Sequence, residues 1–313
     1  MIESRAAALF APRQVGRWTL PSPLLVVLAT IGAVLLVVVA TNRWAVPSDE
    51  HAYWLASQRL LHGEPLYDPS ASIVTPYAYW YPPVLAQVLA PVAAILPSDA
   101  FSVAWTALLL VCIWFLGGRT VLGGLALIAF LPVAVELWFR NIHLVLAVMV
   151  VLGLRRWPAL FAVGASIKLA PGLGIVYLAA RGRWRDAGLA TVAGIGILAV
   201  SVALAPDAWR QFVEIISARG VGETNGFLAV PYFVRAVVGV VLAVVAGRIR
   251  PAYGEPLLVV AITVALPTLW FTALSMLAAI AGLLTFRPAA AALAASTASP
   301  TSPAPDTLPA RAR

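Results

Sequence analysis

The chain keeps returning to apolar runs of roughly 18 or more residues, the length that carries a helix across the ~30 Å hydrocarbon layer of a bilayer. Between these runs lie arginines, at Arg119, Arg155 and Arg156, Arg181, Arg183 and Arg185, Arg248 and Arg250, and Arg287. A sequence that is 62% hydrophobic and 11% charged is not an ordinary soluble domain, where the apolar share is about 45–50%. It reads as an all-α polytopic membrane protein with about 8–10 membrane helices, some short or broken. The net charge of +8 would suggest a nucleic-acid partner in a soluble chain. Here it fits arginines gathered at the cytoplasmic ends of spans. The single cysteine, Cys112, excludes a disulfide framework.

Arg5, Arg13 and Arg17 precede the apolar run 24–40. That run is too long for a signal-peptide core and lacks a clear cleavage site, so it reads as an uncleaved first span with its basic end in the cytoplasm. The acidic loop 42–99 then lies outside. Within it Ser48 is placed to cap a helix and Gly63 to end one, giving a surface helix over 49–62. Its stripe is Tyr53, Ala56 and Leu60, with His51, Gln58 and His62 opposite. The segment 84–97 holds Pro91, and only as a second interfacial helix does it leave all five basic clusters inside. Spans follow at 100–118, 121–138 and 142–154. Residues 157–180 form two short helices meeting at 168–172, and 187–205 crosses outward. Residues 206–220 are amphipathic through Trp209, Phe212 and Ile216, 230–247 returns inward, and 256–286 is a pair broken at Pro267. One transmembrane domain thus covers 1–287, and the Ala/Pro/Ser/Thr-rich tail 288–313 reads as disordered and cytoplasmic.

Chemistry concentrates in few places. The stretch 47–83 holds Asp49, Glu50, Glu64 and Asp68, four of the 13 acidic residues, and two of the three histidines. A carboxylate directly after the first span serves as a general base or a metal ligand, or simply as an acid favoured by a helix N-terminus. Lys168, the one lysine, sits in an apolar run at a helix break, which marks it for function or for snorkelling to the lipid surface. Glu136 and Arg140, four apart, suggest a plain structural pair. Asn141 and His143 open a span where polar groups need partners. Arg235, near an outer end, either binds an anionic head group or marks the interface. No zinc, P-loop or serine-hydrolase motif is present, and no metal site is expected.

These blocks carry a resemblance. The segment SDEHAYWLASQRLLHGEPLYD with YAYWYPPVLAQVLAPVAAILP resembles glycosyltransferase family 87 of the GT-C membrane glycosyltransferases, as does ASIKLAPGLGIVYLAARGRWRDA with its Lys-x-x-Pro break. RNIHLVLAVMVVLGL and ETNGFLAVPYFVRAV agree more loosely, so the likeness spans about residues 40–285. It implies a GT-C-like fold and transfer of a sugar, mannose by default, from a polyprenyl-phosphate donor to a glycolipid or polysaccharide acceptor. The reaction would invert the anomeric centre at the outer face of the cell membrane, without a further cofactor. In it Asp49 is the general base and Lys168 and Arg235 contact phosphate. Glu50, Tyr81, Asn141, His143, Asn225 and Trp270 line the substrates. A His that often follows the Trp of the last break is absent; LPTLWFTAL offers Trp270 and Thr272.

Two other classes compete. A transporter or lipid flippase usually shows paired repeats, but the breaks near Pro171 and Pro267 lack matching flanks and the acidic loop has no second copy. A phosphotransferase would gather several acids for Mg²⁺, and only Asp49 and Glu50 stand together.

Overall fold

The computed structural model describes residues 13–15, 18–42, 48–71, 75–219 and 230–286. A short antiparallel hairpin, β1 (Arg13–Val15) with β2 (Trp18–Leu20), precedes the helices. Then come α1 (Pro23–Asn42), α2 (Asp49–Leu61), α3 (Pro83–Ala93), α4 (Ser98–Leu116), α5 (Val121–Ile128), α6 (Leu131–Phe139) and α7 (His143–Arg155). They are followed by α8 (Leu160–Ile167), a 3₁₀ turn Ala170–Gly172 leading into α9 (Leu173–Ala180), α10 (Trp184–Leu204) and α11 (Pro206–Arg219). Last are α12 (Tyr232–Arg248), α13 (Pro251–Val264) and a 3₁₀ segment Phe271–Leu277 that runs into α14 (Ala278–Thr285). The tail 288–313 lies outside the described residues, as does Asn225.

Among the described residues three helices are long and apolar enough to cross a bilayer: α1, α4 and α10. Their outer faces are apolar rather than polar, with Val34 and Val37 on α1 and Val192 and Ile195 on α10 all exposed. A soluble protein does not leave such stripes uncovered, whereas lipid accepts them. The expected span 121–138 is instead two helices meeting at 90°. Phe130 breaks the helix with φ −72° and ψ 101°, and Pro132 restarts it in the first turn of α6, where a missing N–H costs nothing. Counted as one bent span, the pair makes a fourth crossing. The other apolar helices, including α3, α7 and α13, have 10–17 residues, so most of the eight to ten expected elements are short ones.

The interior is built around α7 and α13. Leu144, Leu146, Ala147, Val150 and Val151 on α7 are fully buried, as are Leu258, Val259, Ala261 and Ile262 on α13. The break between α8 and α9 is packed onto this core through Gly174. A Cβ there would stand 2.0 Å from the ring of Phe161, itself fully buried, so only glycine lets the two segments approach.

The interfacial layer is tied down by side chains of α2. Gln58 Nε2 donates to the carbonyl of Ala93 at 2.6 Å and Trp54 Nε1 to that of Leu96 at 3.0 Å. Both satisfy carbonyls freed at the end of α3. Tyr53 and Ala56 are buried as the stripe requires, while Leu60 is only half-buried. Ser48 precedes α2 but makes no side-chain capping bond, and Gly63 (φ 69°) follows its end in the left-handed region. On α11 the covered residues are Ala208, Phe212 and Ile215, and Ile216 faces outward. Gln211 Oε1 accepts from the Leu66 amide at 3.0 Å, which fastens α11 to the loop after α2.

Candidate active site

The first turn of α2 and the junction between α6 and α7 face each other as two adjacent rungs. Arg140 ends α6 in a left-handed conformation, φ 53° and ψ 42°, which turns the next residues away from the α6 axis. Trp105 Nε1 holds the Arg140 carbonyl at 2.8 Å. In one rung Arg140 Nε donates to Glu50 Oε1 at 2.7 Å, and Ser102 Oγ donates to the same oxygen at 2.6 Å. In the other, Asn141 Nδ2 donates to Asp49 Oδ2. The expected Glu136–Arg140 pair is therefore not formed. The helix stops at Arg140, so the four-residue spacing no longer brings the two together, and Arg140 meets an acid from 90 residues away.

The orientation of the Asn141 amide follows from its donors. The Ile142 amide reaches Oδ1 at 2.7 Å and the Tyr81 hydroxyl reaches it at 3.1 Å. With the oxygen turned to these groups, the amide NH₂ faces Asp49, which must accept. Tyr53, fully buried, stands with its hydroxyl 2.9 Å from that of Tyr81. Among the described residues no hydrogen bond reaches Asp49 Oδ1. Burial raises the Asp49 carboxyl to about 7, against the opposing pull of the Lys168 cation; the nearby Glu136 adds to the rise and the Asn141 bond subtracts from it.

Lys168 also meets Tyr81, its ammonium 4.9 Å from the ring centre. It caps α8 in an extended conformation, φ −139° and ψ 127°, and Pro171 in the following 3₁₀ turn keeps the helix from continuing through it. Its Nζ is 2.7 Å from His143 Nε2, and His143 Nδ1 is 3.0 Å from Glu136 Oε2. An ammonium can only donate, so Nε2 is the acceptor nitrogen and Nδ1–H donates to Glu136. Glu136 Oε1 also accepts the His143 backbone amide at 2.6 Å. The line Glu136, His143, Lys168 thus holds the cation with one of its three donors used by the imidazole.

Of the residues singled out in the sequence, Asp49, Glu50, Tyr81, Asn141, His143 and Lys168 come together here. Arg235 is not part of this cluster. It is buried and donates to four backbone carbonyls, those of Val230 (3.2 Å), Val264 (3.1 Å), Leu266 (2.6 Å) and Pro267 (2.9 Å). Four of its five N–H groups are engaged, three with carbonyls freed at the end of α13 and one with Val230 just before α12, so phosphate contact at this residue is not what the geometry favours. Trp270 is exposed at the start of its 3₁₀ segment and belongs to no part of the cluster. Tyr53, expected only as part of the apolar stripe of its helix, and Glu136 and Arg140, expected only as a structural pair, also join the cluster. For the last two the signal was the density of polar residues in ELWFRNIH, too short a segment to tell which would turn inward. Among the described residues no group of three His, Cys, Asp or Glu is placed to hold a metal ion.

Fold and cluster together define a class: a helical membrane protein with a charged centre gathered where its helices break. The sequence profile of glycosyltransferase family 87 matches residues 79–303. The chain belongs to that family and is a glycosyltransferase. The matched residues include Tyr81, Asn141, His143 and Lys168 but begin after Asp49 and Glu50, which reach the cluster through α2. No curated protein and no solved structure matches the chain.

Proposed function

We propose that the chain transfers a sugar from a polyprenyl-phosphate donor to an acceptor hydroxyl, with inversion, at the outer face of the cell membrane. Mannose is the first sugar to test, and a glycolipid or polysaccharide is the acceptor class. Family membership supports group transfer of a sugar. Three helices of membrane-crossing length and several shorter apolar ones support a lipid-linked donor and a GT-C-like architecture. The arginine clusters support cytoplasmic termini, with α2 and α3 on the opposite side and one transmembrane domain up to residue 287.

The observation that carries the reading is that Asp49 and Lys168 meet around Tyr81, the lysine over its ring and the carboxylate through Asn141, which the Tyr81 hydroxyl also bonds. In the proposed step the acceptor oxygen attacks the anomeric carbon and its proton passes to Asp49. The bond from that carbon to the phosphate oxygen breaks, and polyprenyl phosphate departs with the electron pair. A carboxyl group raised to about 7 is well matched to taking a proton near neutral pH, which gives typical gains of 10²–10⁴-fold. Lys168 stabilises the charge that grows on the phosphate, and His143, held by Glu136, keeps the ammonium in place.

The direct test supplies purified protein in detergent with radiolabelled polyprenyl-phosphate mannose or polyprenyl-phosphate arabinose, together with membrane glycolipid extract. Label should pass from one donor into glycolipid. Folded protein that transfers neither label speaks against the proposed donor class.

A further inference from the structure

Against the Glu50–Arg140 rung lies a polar cavity of about 170 Å³, whose lining does not include Asp49. It is well below the ~300–1,000 Å³ of a drug-sized pocket and suits the end of a small ligand. Its floor is Glu50 and Arg140, both almost wholly buried. Its mouth is Ser98 and the exposed Asp99, at the start of α4, with Tyr77 beside them. His51 forms part of the wall, its Nδ1 2.8 Å from Ser98 Oγ and its ring meeting Tyr77 edge-on at 4.7 Å. Tyr77 itself is held with φ 60°, a conformation that non-glycine residues rarely take and that tends to persist at ligand-contacting sites.

The floor carries an unmet hydrogen-bonding demand. Arg140 and Ser102 both serve Glu50 Oε1, while Oε2 is buried with no hydrogen-bond partner among the described residues. A buried carboxylate oxygen calls for a donor. The choice of donor is narrowed by charge. Glu50 and Asp99 repel an anion such as phosphate, and the Arg140 guanidinium disfavours a free cation. A neutral hydroxyl-bearing group fits both: its O–H groups donate to the carboxylates, and its C–H face packs on Tyr77.

We infer that this cavity binds a sugar ring of the acceptor. The two rungs are one residue apart on both segments, Asp49 with Asn141 and Glu50 with Arg140. A ring seated against Glu50 therefore lies beside the rung that holds the proposed base. The assignment of this ring to the acceptor rests on the transferase reading above, whereas binding of a neutral glycoside does not.

The experiment has two arms. In the first, saturation-transfer NMR records contact between the purified protein in detergent and methyl glycosides of mannose, glucose and arabinose, with inorganic phosphate as competitor. At least one glycoside should take up saturation, phosphate should not displace it, and Ser98→Phe, which fills the mouth from a half-buried position, should abolish the signal. No signal, displacement by phosphate, or an undiminished signal in Ser98→Phe overturns the site. In the second arm Ser98→Phe and Asp99→Ala are assayed with labelled donor and glycolipid. A tenfold or greater rise in acceptor KM with a smaller change in kcat supports the acceptor assignment, and an unchanged KM overturns it. If the parent protein turns over no donor while glycoside binding persists, the transferase step fails and the neutral-sugar site stands.

Discussion

Arg140→Met tests the rung that fixes the whole junction. The residue is 3% exposed and its partner Glu50 1%. Methionine keeps an apolar side chain of similar length but leaves the Glu50 carboxylate with Ser102 as its one remaining hydrogen-bond donor in the rung. Breaking one side of a buried ion pair typically costs about 3–5 kcal/mol, because the other charge stays buried. At roughly 2–4 °C per kcal/mol for chains of this size, the loss corresponds to a fall in melting temperature of roughly 6–20 °C. Removing both charges in Arg140→Met with Glu50→Leu should recover most of that loss, since an apolar pair of similar volume is close to neutral. The assay is fluorescence-detected unfolding of the parent, the two single variants and the double variant in one detergent. Strictly additive losses would mean that the two charges do not interact, and a loss below ~1 kcal/mol in the single variant would mean the pair is solvated.

Lys168→Met should weaken donor binding or slow single turnover, and Lys168→Arg should recover part of the activity; donor titration with single-turnover kinetics reads both. Gly174→Val should destabilise by about 1–3 kcal/mol or more through collision with Phe161, seen as a lower melting temperature; equal stability would show that Phe161 can swing aside. With Cys112→Ala as background, cysteine at the exposed Ser70 should react with an impermeant thiol reagent in intact cells and cysteine at the exposed Arg185 should not. The reverse pattern would place the acidic loop inside.

What could be read from the sequence was whatever is local. The interfacial helix after the first span, the helix break at Lys168 and the amphipathic segment after residue 206 all rest on periodicity, proline placement and charge, and α2, α8 with α9, and α11 follow those signals closely. Lys168 stood out because a lone lysine in an apolar run demands a partner. What stayed hidden depends on chain direction at breaks. The turn at Phe130 bends a segment that is apolar throughout, and the left-handed Arg140 redirects the polar run behind it. From that one conformation come the exchange of Glu136 for Glu50 as partner of Arg140 and the release of Glu136 to hold His143. The setting of Arg235 was hidden for a related reason. Its position near a span end resembles that of a head-group ligand, but three of the four carbonyls it serves belong to the end of α13, 29 to 32 residues away.

The central claim is that Asp49 removes a proton in the reaction, and the pH dependence of single turnover in Asp49→Asn and the parent tests it most directly. A carboxyl group raised to about 7 by burial is protonated and inactive as a base below that pH. The parent rate should therefore fall about tenfold per unit as pH drops below ~7 and level off above it. Asp49→Asn, which keeps the shape but cannot take the proton, should lose on the order of 10²-fold or more and show no such step, with donor binding retained. Near-parent turnover in Asp49→Asn, or the same acid limb in both proteins, would contradict the assignment and place the base elsewhere.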